Sequence, residues 1–221
     1  MNRRQFCTTA AAGILTACAK LPRRSNRPTV FIIHGYGATI NNHWFGWLQT
    51  QLEQRGIAAV RVPMPDSEQP DFDRWQQTLA QYIGKPSENQ IFVAHSLGTI
   101  SLLHYLTATQ PRKIGGLVLV SAFGKRIPTL PEINGFNIDA YVDRCHIDFP
   151  AIARMAGNRI ELFSANDDTI VPVENTRRLA QELNGYLHIR NTGGHFLDRD
   201  GFTQFPPVLE SVERIVQMLQ E

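Results

Sequence analysis

Short runs of apolar, β-prone residues alternate with longer segments of helical spacing, and this alternation constrains the fold more than any other feature. The runs cover residues 29–34, 58–62, 90–94, 116–120, 159–164 and 186–189. The segments with helical spacing cover residues 44–54, 72–83, 99–109, 173–183 and 208–220. Strands that alternate with helices of this length form right-handed βαβ units. We therefore predict a mostly parallel, doubly wound sheet with helices on both faces, which is a three-layer αβα arrangement.

The stretch at 123–154 does not follow this alternation. It contains Pro128, Pro131, Gly135 and Pro150 among scattered aromatic residues. Structureless loops of this length are uncommon in compact domains. Two interpretations stay open: a small lid over a functional site, or a long connecting loop.

Composition and charge indicate a globular protein of one domain. The chain has 221 residues, of which 43% are hydrophobic and 19% charged, a balance that supports a sizeable core. Without Arg3 and Arg4, which lie in a predicted leader, 20 basic residues face 20 acidic ones. This even balance gives no indication of a nucleic-acid partner.

The first residues have the parts of a bacterial export signal. A basic start precedes a short apolar stretch that ends in small residues, and this stretch is well below the roughly 20 residues that span a bilayer. Residues 2–6 resemble the twin-arginine signature, and residues 15–18 resemble the lipobox, in which the cysteine is lipidated. We therefore predict that residues 1–17 are a signal peptide that is removed and that Cys18 carries a lipid.

Three further expectations follow from this leader. Residues 18–28 would form the lipid anchor and a tether, and residues 29–221 would form the folded domain. The protein would be exported and held at a bacterial membrane surface, on the periplasmic or cell-surface side, through Cys18. Cys145 would remain without a disulfide partner, and we expect it to be a partly buried apolar residue.

The most specific motif lies at residues 91–100, where a buried strand runs through a tight turn into a helix with Ser96 at its apex. This is the setting of a nucleophile elbow, G-x-S-x-G, which needs small residues two positions before and after the serine. Gly98 meets that requirement, and Ala94 departs from it by one methyl group. By itself the motif leaves open a serine that only begins a helix.

Two more residue types of a catalytic triad follow later predicted strands. Asp168 fits the D-x-x-V-P arrangement after one strand, whereas its neighbour Asp167 does not, and His195 ends a glycine loop after the next strand. The order Ser96, Asp168, His195 is that of α/β hydrolases. His195 would accept the proton of Ser96, and Asp168 would orient the imidazole. Individually, a strand-end aspartate can be a helix N-cap and a histidine can be a surface residue.

A serine nucleophile also needs an oxyanion hole, whose donors stabilise the tetrahedral intermediate. The backbone N–H of Leu97 is the first candidate donor. The second is expected in the loop after the first strand, where we assign Tyr36 and consider Gly35 the weaker candidate. The alternative for this loop is a tight turn that only the fold requires.

The chain resembles the small serine hydrolases related to retinoblastoma-binding protein 9. The matching segments extend over nearly all of the chain after residue 28 and include residues 34–36, 43–48, 62–65, 70–75, 95–98, Asp168 and 194–196. The His43-Trp44 pair and the Met64-Pro65 segment are not general features of α/β hydrolases.

The resemblance implies an α/β-hydrolase fold with a reduced lid and activity on small carboxylic esters, without a metal or an organic cofactor. It carries over Ser96, Asp168 and His195 as the triad, and we expect a monomer. Trp44 would line the substrate pocket or, alternatively, occupy a core position on the first helix. The leader departs from the mostly cytosolic pattern of these relatives. A catalytically silent binding or scaffold protein and a lipase or thioesterase acting on envelope lipids remain alternative functions.

Overall fold

The computed structural model describes residues 28–221. The predicted signal peptide at 1–17 and the predicted lipidation site Cys18 lie outside these residues. The elements follow one another as β1 (Thr29–Ile33), α1 (Phe45–Gln54), β2 (Ala58–Val62), α2 (Phe72–Ile83), β3 (Gln90–His95), α3 (Leu97–Thr109), β4 (Gly116–Val120), β5 (Glu132–Ile133), β6 (Phe136–Asn137), α4 (Ile138–Arg144), α5 (Phe149–Ala156), β7 (Ile160–Ala165), α6 (Val173–Leu183), β8 (Tyr186–Arg190) and α7 (Pro206–Met218).

The main sheet has six parallel strands in the order β2-β1-β3-β4-β7-β8. Its central strands are buried on both faces. In β1, Phe31 and Ile33 enter one core cluster, whereas Val30 and Ile32 enter the other. Burial on both faces explains why these strands are continuous apolar runs without polar alternation. The predicted parallel sheet is confirmed.

Helices cover both faces of the sheet. Trp75 and Leu79 of α2 belong to the larger core cluster, together with apolar residues of α3, α5 and α6. Leu48 of α1 and Val212 of α7 belong to the cluster on the other face. These two layers with the sheet between them form the predicted three-layer arrangement.

The segment at 123–154 contains secondary structure that the sequence did not predict. It comprises the antiparallel β5-β6 hairpin and the helices α4 and α5, of seven and eight residues. Asn137 and Asp148 cap the two helices by accepting the backbone N–H groups of Ala140 and Ala151. Helices of two turns are too short to show a clear apolar period, which explains why the sequence pattern missed them. The segment is therefore not a plain loop.

Two further features of residues 28–221 concern membrane spans and Cys145. No helix in this part of the chain is long and apolar enough to cross a membrane. Cys145 has no disulfide and is partly buried, and burial raises the pKa of its thiol to about 12. A thiol that stays protonated near neutral pH is a poor nucleophile.

Candidate active site

Ser96 is the single residue between β3 and α3. Its backbone has φ 52° and ψ −126°, in the left-handed half of conformational space that costs energy for a residue with a side chain. Its N–H donates to the carbonyl of Val120 at 3.0 Å, which fixes the turn to the next strand. Helix α3 therefore begins at Leu97, two residues earlier than predicted. Ala94, the position where the motif usually has glycine, is fully buried in the core.

The elbow requires glycine at position 98. A Cβ atom there would lie 2.4 Å from the carbonyl oxygen of His34, a backbone atom that cannot move aside. The loop after β1 therefore approaches α3 closely enough to bring its backbone beside Ser96.

This close approach predicts a large stability loss for Gly98→Ala. We expect the free energy of unfolding, measured by urea denaturation, to fall by about 3 kcal/mol. This value of about 3 kcal/mol is at the upper end of the usual range for overpacking. Gly46→Ala is the matched control, since a Cβ there would meet only the flexible Arg61 side chain at 3.4 Å. Equal stabilities of the two variants would contradict the close approach.

The side chains of Ser96, His195 and Asp168 lie together at the carboxyl edge of the sheet. His195 Nε2 is 2.9 Å from Ser96 Oγ, and His195 Nδ1 is 2.9 Å from Asp168 Oδ2. All three residues are buried. A carboxylate can only accept, so Nδ1–H donates to Asp168 and the lone pair of Nε2 faces the serine hydroxyl.

Asp168 has a full set of donors around it. Its Oδ1 accepts the backbone N–H groups of Ile170 and Val171, both at 2.9 Å. Its Oδ2 accepts the hydroxyl of Ser121 at 2.8 Å. These bonds fix the carboxylate in the orientation that meets His195 Nδ1.

Ser121 is a residue of this site that the sequence interpretation missed. It directly follows β4, is fully buried and has φ 46°. The only signal in the sequence is a small polar residue at the end of the apolar run at 116–120. Its bond to Asp168 spans 47 positions, so no local pattern indicates it.

The loop that carries His195 is held at four backbone N–H groups by two carboxylates. Asp167 Oδ1 accepts the N–H groups of Gly193 and Gly194, both at 2.9 Å. Asp200 Oδ2 accepts the N–H groups of His195 at 3.0 Å and of Leu197 at 3.1 Å. Asp167, which did not fit the acid position in the sequence, therefore anchors the histidine loop without contacting the imidazole.

His95 also holds the loop that carries His195. Its Nε2 donates to the carbonyl of His195 at 2.9 Å. Burial lowers the pKa of His95 well below its usual value, and the neighbouring His195 lowers it further. His95 is thus a neutral donor that contacts the backbone of His195 and not its ring nitrogens.

The predicted oxyanion residues lie beside Ser96. Leu97 and Tyr36 line a cavity next to the serine, and Gly35 does not line it. A Cβ on Gly35 would lie 2.8 Å from Ser96 Cβ, so this glycine packs against the elbow. His34 fixes the loop, because its Nε2 accepts the N–H of Met64 at 3.1 Å and its Nδ1 donates to Gly35 at 3.0 Å.

The cavity beside Ser96 has a volume of about 240 Å³ and two chemically different walls. The apolar wall consists of Phe123, Ile127, Leu130, Ile133 and Ile138 of the 123–154 segment, together with Leu97, Ile170, Val171 and Leu197. The polar wall includes His43, Asn134, Asp198 and Arg199. Within residues 28–221, no group of three His, Cys, Asp or Glu side chains is placed to hold a metal ion.

Trp44 does not line this cavity, which corrects its assignment as a substrate-binding residue. The indole is fully buried and packs against the rings of Phe45 and Phe205, with centroids 4.7 and 5.7 Å away. The alternative core position is the one that the structure shows. Its neighbour His43 reaches the cavity instead.

Known proteins are similar to this chain in sequence and in architecture. The ydeN gene product of Bacillus subtilis is 39% identical over 182 residues, which is 82% of this chain and 92% of that protein. Its crystal structure matches with a TM-score of 0.78 at 35% identity and covers 86% of this chain and 99% of that chain. The serine hydrolase RBBP9 of Rattus norvegicus is 24% identical over 195 residues, 86% of this chain and 96% of that protein.

A further structural neighbour and a family model identify the fold and the family. Mouse alpha/beta hydrolase domain-containing protein 10 shares the fold, with a TM-score of 0.65 at 14% identity over 87% of this chain and 90% of that chain. The family model described as serine hydrolase matches residues 30–214. The chain has the α/β-hydrolase fold, as predicted, and it belongs to the serine hydrolase family.

Proposed function

We propose that this hydrolase is a carboxylesterase that cleaves small esters through an acyl-serine intermediate. The observation that carries the proposal is the continuous chain of hydrogen bonds from Ser96 Oγ through His195 to Asp168, with 2.9 Å at each step. A serine hydroxyl is a weak nucleophile near neutral pH, and an adjacent imidazole activates it by accepting its proton.

The reaction follows from this geometry. Ser96 Oγ attacks the ester carbonyl carbon while His195 Nε2 takes the hydroxyl proton, and Asp168 stabilises the imidazolium that forms. The N–H groups of Leu97 and Tyr36 stabilise the negative oxygen of the tetrahedral intermediate. His195 then gives its proton to the leaving alkoxide, and an acyl-serine remains. Water attacks the acyl-serine in the second half of the reaction, again with His195 as the base.

The cavity supports a small substrate. Its volume of about 240 Å³ is below the roughly 300–1,000 Å³ of sites for drug-sized ligands. The apolar wall next to Ser96 suits a short aliphatic acyl group. A lipase or thioesterase acting on long acyl chains would need more apolar space than this wall encloses.

The proposal is tested with p-nitrophenyl esters from acetate to palmitate. We expect kcat/KM to be highest for a short acyl chain and to fall steeply beyond it, because a longer chain cannot be buried. A preference for palmitate would favour the lipase alternative. Rapid labelling of the wild-type protein by a fluorophosphonate probe is expected as well, and its absence would favour the silent scaffold.

A further inference from the structure

His43 belongs to a motif that the catalytic residues do not use, yet it is part of the cavity wall. It lies in the loop between β1 and α1, with φ 55° and a side chain that is only 10% exposed. Its ring packs edge-on against Phe45 and His95, with centroids 5.4 and 5.9 Å away. A left-handed, nearly buried histidine beside a nucleophile is held there by specific contacts.

The contacts of His43 determine where its proton lies. The backbone N–H of Asp198 donates to His43 Nδ1 at 3.1 Å, so Nδ1 is an acceptor. Burial lowers the pKa of His43, although the Asp198 carboxylate, whose Oδ1 is 3.4 Å from the same Nδ1, opposes this shift. A neutral ring that accepts at Nδ1 carries its proton on Nε2.

The Nε2–H group of His43 is available to a ligand. Within residues 28–221, the His43 ring forms its hydrogen bond through Nδ1 and none through Nε2. The His43 side chain is about 10% exposed, and His43 lines the cavity. An N–H donor exposed in an otherwise confined site favours a ligand that presents an acceptor to it.

The position of His43 assigns this donor to one half of an ester. His195 must deliver its proton to the leaving oxygen, so the alcohol half lies beside His195. His43 is on that side, because the ring of His95 contacts both His43 and His195, with centroids 5.9 and 4.8 Å away. The backbone N–H of Asp198, three residues after His195, also donates to His43. Asp198 and Arg199 contribute one charge of each sign, which favours a neutral polar group.

We infer that His43 forms a subsite for the leaving alcohol and that the preferred substrates are short-chain esters whose alcohol carries a neutral oxygen acceptor. This inference rests on the proposed esterase function. A hydrocarbon alcohol would leave the Nε2–H group without a partner once the site is closed to water, and a site built to donate discriminates against such a ligand.

The test compares 2-methoxyethyl butyrate with butyl butyrate. The two esters have the same number of heavy atoms and differ by one ether oxygen in place of a methylene group. The measured quantity is the ratio of their kcat/KM values, compared between variants so that intrinsic leaving-group reactivity cancels. We expect His43→Asn to lower this ratio roughly three- to tenfold, the range for one neutral hydrogen bond.

The variants of His43 differ in whether they place a hydrogen-bond donor near the position of Nε2. Asparagine tolerates the left-handed backbone and can still accept the N–H of Asp198, but it places no donor at Nε2. His43→Gln returns an amide donor near Nε2 and should restore most of the ratio. Ile127→Val, in the apolar wall, should change both rates together and leave the ratio at the wild-type value.

The outcomes separate this inference from the proposed function. An unchanged ratio in His43→Asn, or equal ratios in the Asn and Gln variants, would overturn the role of His43 while ester cleavage stands. Failure of the wild-type protein to cleave either ester would instead count against the esterase itself.

Discussion

Replacing Ser96 with alanine should lower kcat for a small ester by about 10⁶-fold, the loss typical when the nucleophile of a triad is removed. Among residues 28–221, Ser96 supplies the hydroxyl that hydrogen-bonds to His195 Nε2, at 2.9 Å, and no second hydroxyl shares that nitrogen. The variant should fold, since Ser96 makes its structural contact through the backbone N–H to Val120. Initial rates at saturating p-nitrophenyl butyrate measure the effect.

A second variant shows whether the two residues act as a unit. His195→Ala should cost about as much as Ser96→Ala, and the double variant should cost no more than either one, since triad losses are not additive. Unfolding curves of each variant control for stability. Activity of Ser96→Ala within tenfold of the wild-type protein would identify a different nucleophile.

Asp168→Asn should lower kcat by about 10⁴-fold without a comparable change in KM, as expected for a triad with the wrong histidine tautomer. Asp168 accepts from His195 Nδ1 and also from Ile170, Val171 and Ser121. An asparagine whose oxygen keeps accepting from Ile170 and Val171 places its NH₂ at the position of Oδ2, where it faces both Ser121 Oγ and the imidazole. His195 must then carry its proton on Nε2, where it can no longer accept one from Ser96.

Asp167→Asn is the matched control for this prediction. Asp167 anchors Gly193 and Gly194 through Oδ1 alone, and an amide oxygen can accept both N–H groups. We therefore expect kcat to stay within about tenfold of the wild-type value, since neutral hydrogen bonds contribute roughly 0.5–1.5 kcal/mol each. If Asp167→Asn lost as much activity as Asp168→Asn, the assignment of the orienting acid would be wrong.

The sequence predicted the fold well because burial leaves a strong local pattern. In α2, apolar residues recur on one face, Asp71 caps the first turn and Gly84 ends the helix with φ 63°, so the predicted bounds match the observed ones. The 123–154 segment was less predictable, since its two helices and its hairpin are short. Their placement depends on tertiary contacts such as the stacking of Tyr36 on Phe136, with ring centroids 5.6 Å apart.

The candidate site was only partly predictable for a related reason. Ser96, Asp168 and His195 each follow a recognisable strand, and the carboxyl ends of parallel strands share one edge of a sheet. Ser121 and Asp200 act through bonds that join distant or irregular parts of the chain, and no periodic pattern marks them. For Trp44, the sequence pattern is the same whether the indole lines a pocket or packs in the core.

The 123–154 segment lies between β4 and β7 in the chain, and β4 and β7 are direct neighbours in the sheet. A longer or shorter segment could connect the same two strands without changing their register, because both of its ends leave from fixed positions. It supplies most of the apolar wall and none of Ser96, Asp168 and His195. Changes in this segment can therefore alter the apolar lining of the cavity while Ser96, Asp168 and His195 stay in place.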